Sequence, residues 1–445
     1  MAGLNIDRVR VRRLRRIFYR YVLAWHPWKA RVVFWAGAVA VGVIATLFAW
    51  MAEYANIAFH WIVGVSEWLP WLVSPLGMVV ALWLTRSFFV GSEGSGIPQT
   101  IAVLGFREGP ARERLLSWRI VIGKVMVAGV GLLSGASIGR EGPSVHVGAS
   151  IMYRVGKWAH FPRHDVERGL ILAGSAAGIA AAFNTPIAGI IFAIEEMSRS
   201  FEERTSGTVL IAVIVAGVTA LALQGNYTYF GTTKEVIGVN DWPAIFVCGV
   251  AGGLIGGWFS SALIVGSRAL APWLERHPYR VALACGLAIA LFGLLSGQNT
   301  YGTGYTEAKA IVSGHNEAGI MYPLYKLLAT VASYLSGIPG GIFAPSLAVG
   351  AGFGADMALL FPSAPLAAIV VLGMVGYFTG VVQTPITGFV IVMEVTGSQA
   401  MALPIMATAF VAYGASRLVC REPIYRALAQ RFVETPVPGG NSHAG

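Results

Sequence analysis

The stretch VVFWAGAVAVGVIATLFAWMA, residues 32–52, carries no charge and no alternation of apolar with polar positions. A helix needs about 20 such residues to cross the hydrocarbon core of a bilayer. Continuous apolar character of this kind argues against a transmembrane β-barrel, whose strands alternate. Comparable blocks lie near 69–90, 120–153, 168–196, 207–225, 243–270, 280–297, 321–360, 364–396 and 401–419. Several are longer than one crossing, so they must contain breaks. Charged residues make up 12% of the chain, about half their share in soluble domains. The expectation is an all-α polytopic membrane protein.

The charge that remains is unevenly placed. Residues 1–31 hold eight Arg and one Lys against the single Asp7. RVRVRRLRR invites a nucleic-acid reading, but membrane-spanning sequence follows at once. A basic cytoplasmic anchor touching anionic lipid is the better account, with no nucleic-acid partner. A signal peptide is disfavoured because the apolar run is too long and no clear cleavage site follows. Further basic clusters, REGPARERLLSWR (107–119), RSFEER (199–204) and Arg417 to Arg431, mark a cytoplasmic side and place both termini there. The expected organisation is a basic interfacial helix over 1–31, membrane halves over 32–225 and 226–420, and a short cytoplasmic tail over 421–445. Cys248, Cys285 and Cys420 are scattered singly without metal spacing. Neither a metal nor a cofactor is called for.

An internal repeat divides the chain. LAGSAAGIAAAFNTPIAGIIFAIEE from Leu172 matches VLGMVGYFTGVVQTPITGFVIVMEV from Val371, pairing Thr185-Pro186-Ile187 with Thr384-Pro385-Ile386 and Glu195 with Glu394. A looser match sets GASIGREGPSV against GIPGGIFAPSL. Related halves with glycine-broken segments in corresponding places point to a binding site between them.

Five segments share one grammar, a turn followed by proline and an apolar helix: GSGIP to Pro98, GREGP to Pro143, FNTP to Pro186, GGIFAP to Pro345 and VQTP to Pro385. Proline suits a first helical turn, and Thr185 and Thr384 stand at N-cap positions. Each start leaves backbone N–H groups and a positive dipole end unclaimed. Inside a membrane something must satisfy them, and an anion can.

GREGP adds a puzzle, because Arg140 and Glu141 interrupt an uncharged stretch. Neither flank, Val125–Gly139 nor Gly142–Tyr153, spans a bilayer alone, so the pair lies deep or at an interface. Buried ionisable groups default to a functional reading. Direct pairing of the two is poor geometry, since helix neighbours point about 100° apart.

GSGIP (94–98), GREGP (139–143), GGIFAP (340–345) and the late Tyr425, taken together and in order, resemble the signature set of the CLC family of chloride channels and chloride/proton antiporters. The resemblance covers nearly the whole chain. It implies an all-helical subunit of inverted-repeat halves with broken, tilted helices, paired as a homodimer with an ion pathway in each subunit. Its partners would be chloride, protons and the lipid bilayer, in a bacterial-type inner membrane. Carried over by motif, Ser95, Tyr425 and the amides of Ile342 and Phe343 would hold the central chloride. Glu141 would be the external gate and proton carrier, supported by Gly139, Arg140, Gly142 and Pro143. Without the resemblance, Tyr425 reads as an interfacial belt residue and Ser95 as a turn former.

Exchangers in this family typically carry a glutamate near the cytoplasmic end of the helix after the NTP turn. The match assigns the internal proton site to Glu196, with Glu195 as its structural neighbour. Read without the family, Glu196 pairs with Arg199 or Arg204. An antiporter is the better reading, with a passive chloride channel as the alternative. Serine in GSGIP favours chloride over nitrate, and the fluoride-specialised branch departs from these motifs. Lys124 matches a family basic position, although an interfacial lysine is the plainer account. An intramembrane serine protease is a more distant rival. It needs a serine nucleophile and a base in reach, and His146 has no serine partner by spacing.

Overall fold

The structure, a computed structural model, describes residues 25–106, 109–159, 164–198, 203–315 and 317–434. The basic stretch before Trp25, most of RSFEER and the end of the tail lie outside the described residues. Among the described residues there are eighteen α-helices and no strands. In chain order they are α1 (Trp25–Val65), α2 (Pro70–Ser87), α3 (Ile97–Gly105), α4 (Pro110–Leu115), α5 (Trp118–Leu133), α6 (Glu141–Trp158), α7 (His164–Phe183), α8 (Pro186–Phe192) and α9 (Glu203–Gln224). There follow α10 (Pro243–Arg276), α11 (Pro278–Leu295), α12 (Tyr305–Val312), α13 (Tyr322–Leu335), α14 (Phe343–Ala358), α15 (Leu366–Val382), α16 (Pro385–Thr396), α17 (Ala402–Val419) and α18 (Ile424–Glu434).

The long apolar blocks break where the turn residues stand. The block over 168–196 becomes α7 and α8, and that over 364–396 becomes α15 and α16. At both breaks a non-glycine residue adopts the left-handed conformation, Asn184 and Gln383 each at φ 57°. Such a backbone is strained, and it persists because side-chain bonds hold it. Asn184 Nδ2 donates to Tyr227 O at 2.8 Å, and Gln383 Nε2 donates to Cys420 O at 2.6 Å. Proline then opens α8 and α16 in the first helical position.

Among the described residues six helical stretches are long and apolar enough to cross a membrane, including Arg31–Val65, Val239–Arg276 and Gln399–Val419. Their outer faces expose large apolar side chains such as Trp61, Ile214, Phe246, Trp258 and Phe410. In water such surface would be costly, whereas in lipid it is the normal exterior. Shorter helices fill the interior. Every residue from Phe343 to Ala355 in α14, and from Ala367 to Val382 in α15, is buried. Close helix contact here depends on small residues. A Cβ on Gly350 would fall 2.7 Å from the Met374 backbone, and one on Gly373 would fall 2.2 Å from that of Gly354.

The repeat is visible in reciprocal contacts. Glu195 accepts from the backbone N–H groups of Ile386 and Thr387 at 3.1 and 2.6 Å. Its match Glu394 accepts from those of Ile187 and Ala188 at 3.3 and 2.7 Å. Mutual bonding of corresponding groups is the signature of a two-fold relation.

Candidate functional site

Three of the proline-marked turns converge on one place. Gly94 N donates to Ile338 O, and Gly340 N returns a bond to Gly94 O, both at 3.1 Å. Gly139 and Gly341 exchange bonds of 2.7 and 2.8 Å. The turns before α3, α6 and α14 are thus tied by short antiparallel and parallel bridges. Gly139 and Gly341 are the residues that the looser repeat match pairs, so the two-fold relation runs through this contact. The N-termini of α3, α6 and α14 therefore meet.

Glycine makes the approach possible. A Cβ on Gly142 would lie 3.2 Å from Ser95 Oγ, so a bare backbone lets the start of α6 sit against the GSGIP turn without displacing it. Gly96, at φ 94°, forms the left-handed N-cap of α3. Ser95 Oγ accepts the Ile97 N–H at 3.2 Å, leaving its hydroxyl proton to point elsewhere. Pro143 sits in the first turn of α6, and its missing N–H removes a donor that would have no intrahelical partner.

Tyr425 arrives from the other end of the chain. Helix α18 packs on α3, and the Tyr425 ring lies 5.8 Å from that of Phe343. The side chain is fully buried, and its hydroxyl has no hydrogen-bond partner. Leaving a buried donor unsatisfied costs about 1–3 kcal/mol. The ring packs against Phe343, the first residue of α14, and the Ile342 and Phe343 N–H groups there precede any intrahelical acceptor. Phenol, serine hydroxyl and helix-start amides form a neutral donor set suited to a dehydrated halide. No formal cation is among them to hold an anion permanently.

Glu141, the first residue of α6, is fully buried. Its Oε1 accepts from the Tyr229 hydroxyl at 3.1 Å, while Oε2 has no hydrogen-bond partner. Among the described residues no direct ion pair joins it to Arg140. The guanidinium lies over the Tyr229 ring at 5.8 Å and donates to Ala182 O at 3.4 Å. A cavity of about 490 Å³ reaches this side of the site, lined by Arg140, Tyr227, Tyr229, Tyr305 and Glu53 among others. A second cavity of about 370 Å³ shares none of that lining and reaches Ser95, bordered by Arg86, Glu93, Leu428 and Arg431.

Glu196 occupies a π-helical turn, Ala193–Ser198, that follows α8. Widening the helix there sends adjacent glutamates to different tasks. Glu195 reaches across to cap α16, and Glu196 turns inward and is buried. Glu141, Glu196 and the Tyr425 ring are all buried. The space among them is aromatic, with Phe343 packed against Phe183, Phe192 and Phe378. Arg199 and Arg204, the ion-pair alternatives for Glu196, have no described side chains.

Lys124 is fully buried rather than interfacial. Its Nζ donates to Gly94 O at 2.7 Å and Glu93 O at 3.2 Å, clamping the turn that carries Ser95. The carbonyls offset what burial of an ammonium would otherwise cost. Two helix starts also differ from expectation. The amides of α8 and α16 are taken by Glu394 and Glu195, and neither Thr185 nor Thr384 caps with its own side chain. His146 Nε2 lies 2.8 Å from Leu115 O, and Ser144 Oγ donates to Arg140 O, so no serine–histidine pair forms here.

Sequence reasoning passed over Tyr229. Its only signal was the aromatic cluster in NYTYF, beyond the last span of the first repeat.

A family model described as "Voltage gated chloride channel" matches residues 76–417. The H(+)/Cl(-) exchange transporter ClcA of Vibrio vulnificus strain YJ016 is 29% identical over 429 residues, covering 89% of each chain. The structure of a slow cyanobacterial Cl−/H+ antiporter superposes with a TM-score of 0.77 at 24% identity, covering 91% of this chain and 98% of that one. A CLC-type fluoride/proton antiporter superposes with a TM-score of 0.76 at 25% identity, covering 89% and 96%.

Proposed function

This chain belongs to the voltage gated chloride channel family, and on that premise we propose that it exchanges chloride for protons across a membrane. The observation that carries this reading is the fully buried, partnerless Tyr425 hydroxyl beside three converging helix starts. A site made of donors alone asks for an anion. In the proposed assignment Ser95, Tyr425 and the Ile342 and Phe343 amides bind chloride. Lys124 holds the Ser95 turn, while Gly139, Arg140, Gly142 and Pro143 shape the start of α6.

Coupling follows from Glu141 being itself an anion tethered at a helix start. Ionised, its carboxylate competes with chloride for the same positive end of α6 and α14. Protonated, it loses that claim and the halide can take its place. One group that both excludes chloride and carries a proton cannot move either independently of the other. Glu196, buried in the π-helical turn after α8, supplies the internal proton station. Relatives named as H(+)/Cl(-) exchange transporters and the buried state of Glu196 favour exchange over passive conduction.

We place the protein in a bacterial inner membrane with both termini cytoplasmic, on the distribution of its basic clusters. The homodimer and the division into 1–31, 32–225, 226–420 and 421–445 rest on the family resemblance and the repeat.

The test uses purified protein in liposomes with a chloride gradient and an external pH electrode. The gradient is expected to drive protons uphill, and Glu196→Gln to stop the protons while chloride still moves. Chloride flow with no proton movement in the unaltered protein would make it a passive channel. Proton pumping stronger with fluoride than with chloride would overturn the choice of anion.

A further inference from the structure

Tyr229 lies outside the signature motifs, yet its hydroxyl donates a hydrogen bond to the Glu141 carboxylate at 3.1 Å. A buried phenol normally finds a partner for its hydroxyl, and here that partner is the gate. The geometry leaves the ring little freedom. Tyr229 is 2% exposed, with Phe230, Phe183 and Tyr305 packed edge-on at 4.8, 5.1 and 5.1 Å. Arg140 covers the ring at 5.8 Å. Its backbone is pinned as well. Phe230 N donates to Val395 O at 2.8 Å and Thr233 N to Thr396 O at 3.1 Å, fastening the segment after α9 to the end of α16.

The hydroxyl is therefore a fixed point, and the flexible partner is the glutamate. It also lies on one side of the gate. Tyr229 lines the cavity with Arg140, Tyr227 and Tyr305, whereas Ser95 lines the other. A carboxylate held by Tyr229 is drawn toward the first cavity and kept at the start of α6.

We propose that Tyr229 is a positioning residue that latches the Glu141 carboxylate in the blocking place, so that breaking this bond is part of each opening of the gate. The proposal rests on the reading of Glu141 as the external gate. It predicts that transport is slowed by the latch and that removing the hydroxyl speeds it. Bonds to charged groups are the stronger class, so the effect should be clear in turnover while proton coupling, which runs through Glu141 and Glu196, survives.

The experiment is a double-mutant cycle in proteoliposomes, with chloride efflux followed by a chloride electrode and protons by a pH electrode. The four proteins are the natural chain, Tyr229→Phe, Glu141→Ala, and the double substitution. Tyr229→Phe is expected to raise efflux by roughly tenfold to a hundredfold when Glu141 is present, the range one charge-assisted bond allows. In the Glu141→Ala background, where there is nothing to latch, it should change efflux by less than about twofold. Efflux from the double variant also establishes that the Phe ring folds in place.

Equal changes in both backgrounds would mean that Tyr229 shapes the pathway instead, and no change beside Glu141 would remove the latch. If Glu141→Ala alone keeps its proton coupling, the gate reading falls and takes the latch with it. If Glu141→Ala uncouples but the cycle is additive, only the latch is lost.

Discussion

Two kinds of helix start share one sequence grammar and meet opposite fates. The starts of α8 and α16 are closed from within. Each receives a carboxylate from the other half, Glu394 onto Ile187 and Ala188, Glu195 onto Ile386 and Thr387. The starts of α3, α6 and α14 are tied by backbone bridges, but meet a buried hydroxyl that has no protein partner. A positive helix end in a membrane interior must be answered by negative charge. At the first pair the protein supplies that charge permanently. At the second group it supplies one tethered, removable carboxylate, Glu141, and so leaves room for an ion. The lesson is that a proline-marked start identifies a demand for an anion, while the neighbouring side chains decide whether the anion is part of the fold or the cargo.

The sharpest way to break this comparison is to neutralise one carboxylate of each kind. Glu141→Gln should abolish proton coupling completely while chloride still moves. It should cost no stability, because it removes a charge from a buried place. Glu394→Ala should do the reverse. Two amides lose charge-assisted bonds, and the expected loss is about 2–3 kcal/mol, moderated because the carboxylate is half-exposed. Chemical unfolding in detergent measures the second effect, and its chloride-to-proton ratio should be unchanged. A Glu394→Ala protein that is stable but uncoupled would erase the distinction.

A smaller effect is expected at the ion itself. Tyr425→Phe deletes a hydroxyl that bonds nothing in the protein, so the fold should not suffer. Chloride affinity, measured by calorimetry, should fall by roughly fivefold to tenfold, the worth of one hydrogen bond. Unchanged affinity would remove Tyr425 from the site. Smallest of all should be Gly142→Ala, whose Cβ would meet Ser95 O at 3.1 Å. A shift of a few tenths of an ångström accommodates it, and affinity should drop by about twofold to threefold through a displaced donor.

Much of this arrangement is readable in the sequence. The unbroken apolar runs demanded helices, their excess length demanded breaks, and Gly, Asn, Thr and Pro marked the breaks at the positions where α8, α14 and α16 begin. The uncharged flanks of Glu141 left it either deep or at an interface, and the structure shows it fully buried. The capping by Glu195 and Glu394 was harder to see, because each bond joins residues in different halves. The repeat match already paired both glutamates and both TPI turns, so a reciprocal contact was latent there. The π-turn that separates the tasks of Glu195 and Glu196 leaves no periodic trace in FAIEEM. Lys124 looked interfacial because its answering groups are carbonyls, which sequence does not display. Tyr229 lies in an irregular segment where no spacing rule applies.

Bromide replaces chloride in such sites and scatters anomalously, so diffraction from bromide-soaked crystals tests the central comparison most directly. One strong peak is expected among Ser95 Oγ, the Tyr425 hydroxyl and the Ile342 and Phe343 amides, with none at the starts of α8 and α16. Bromide at those capped starts, or none beside Tyr425, would contradict the account.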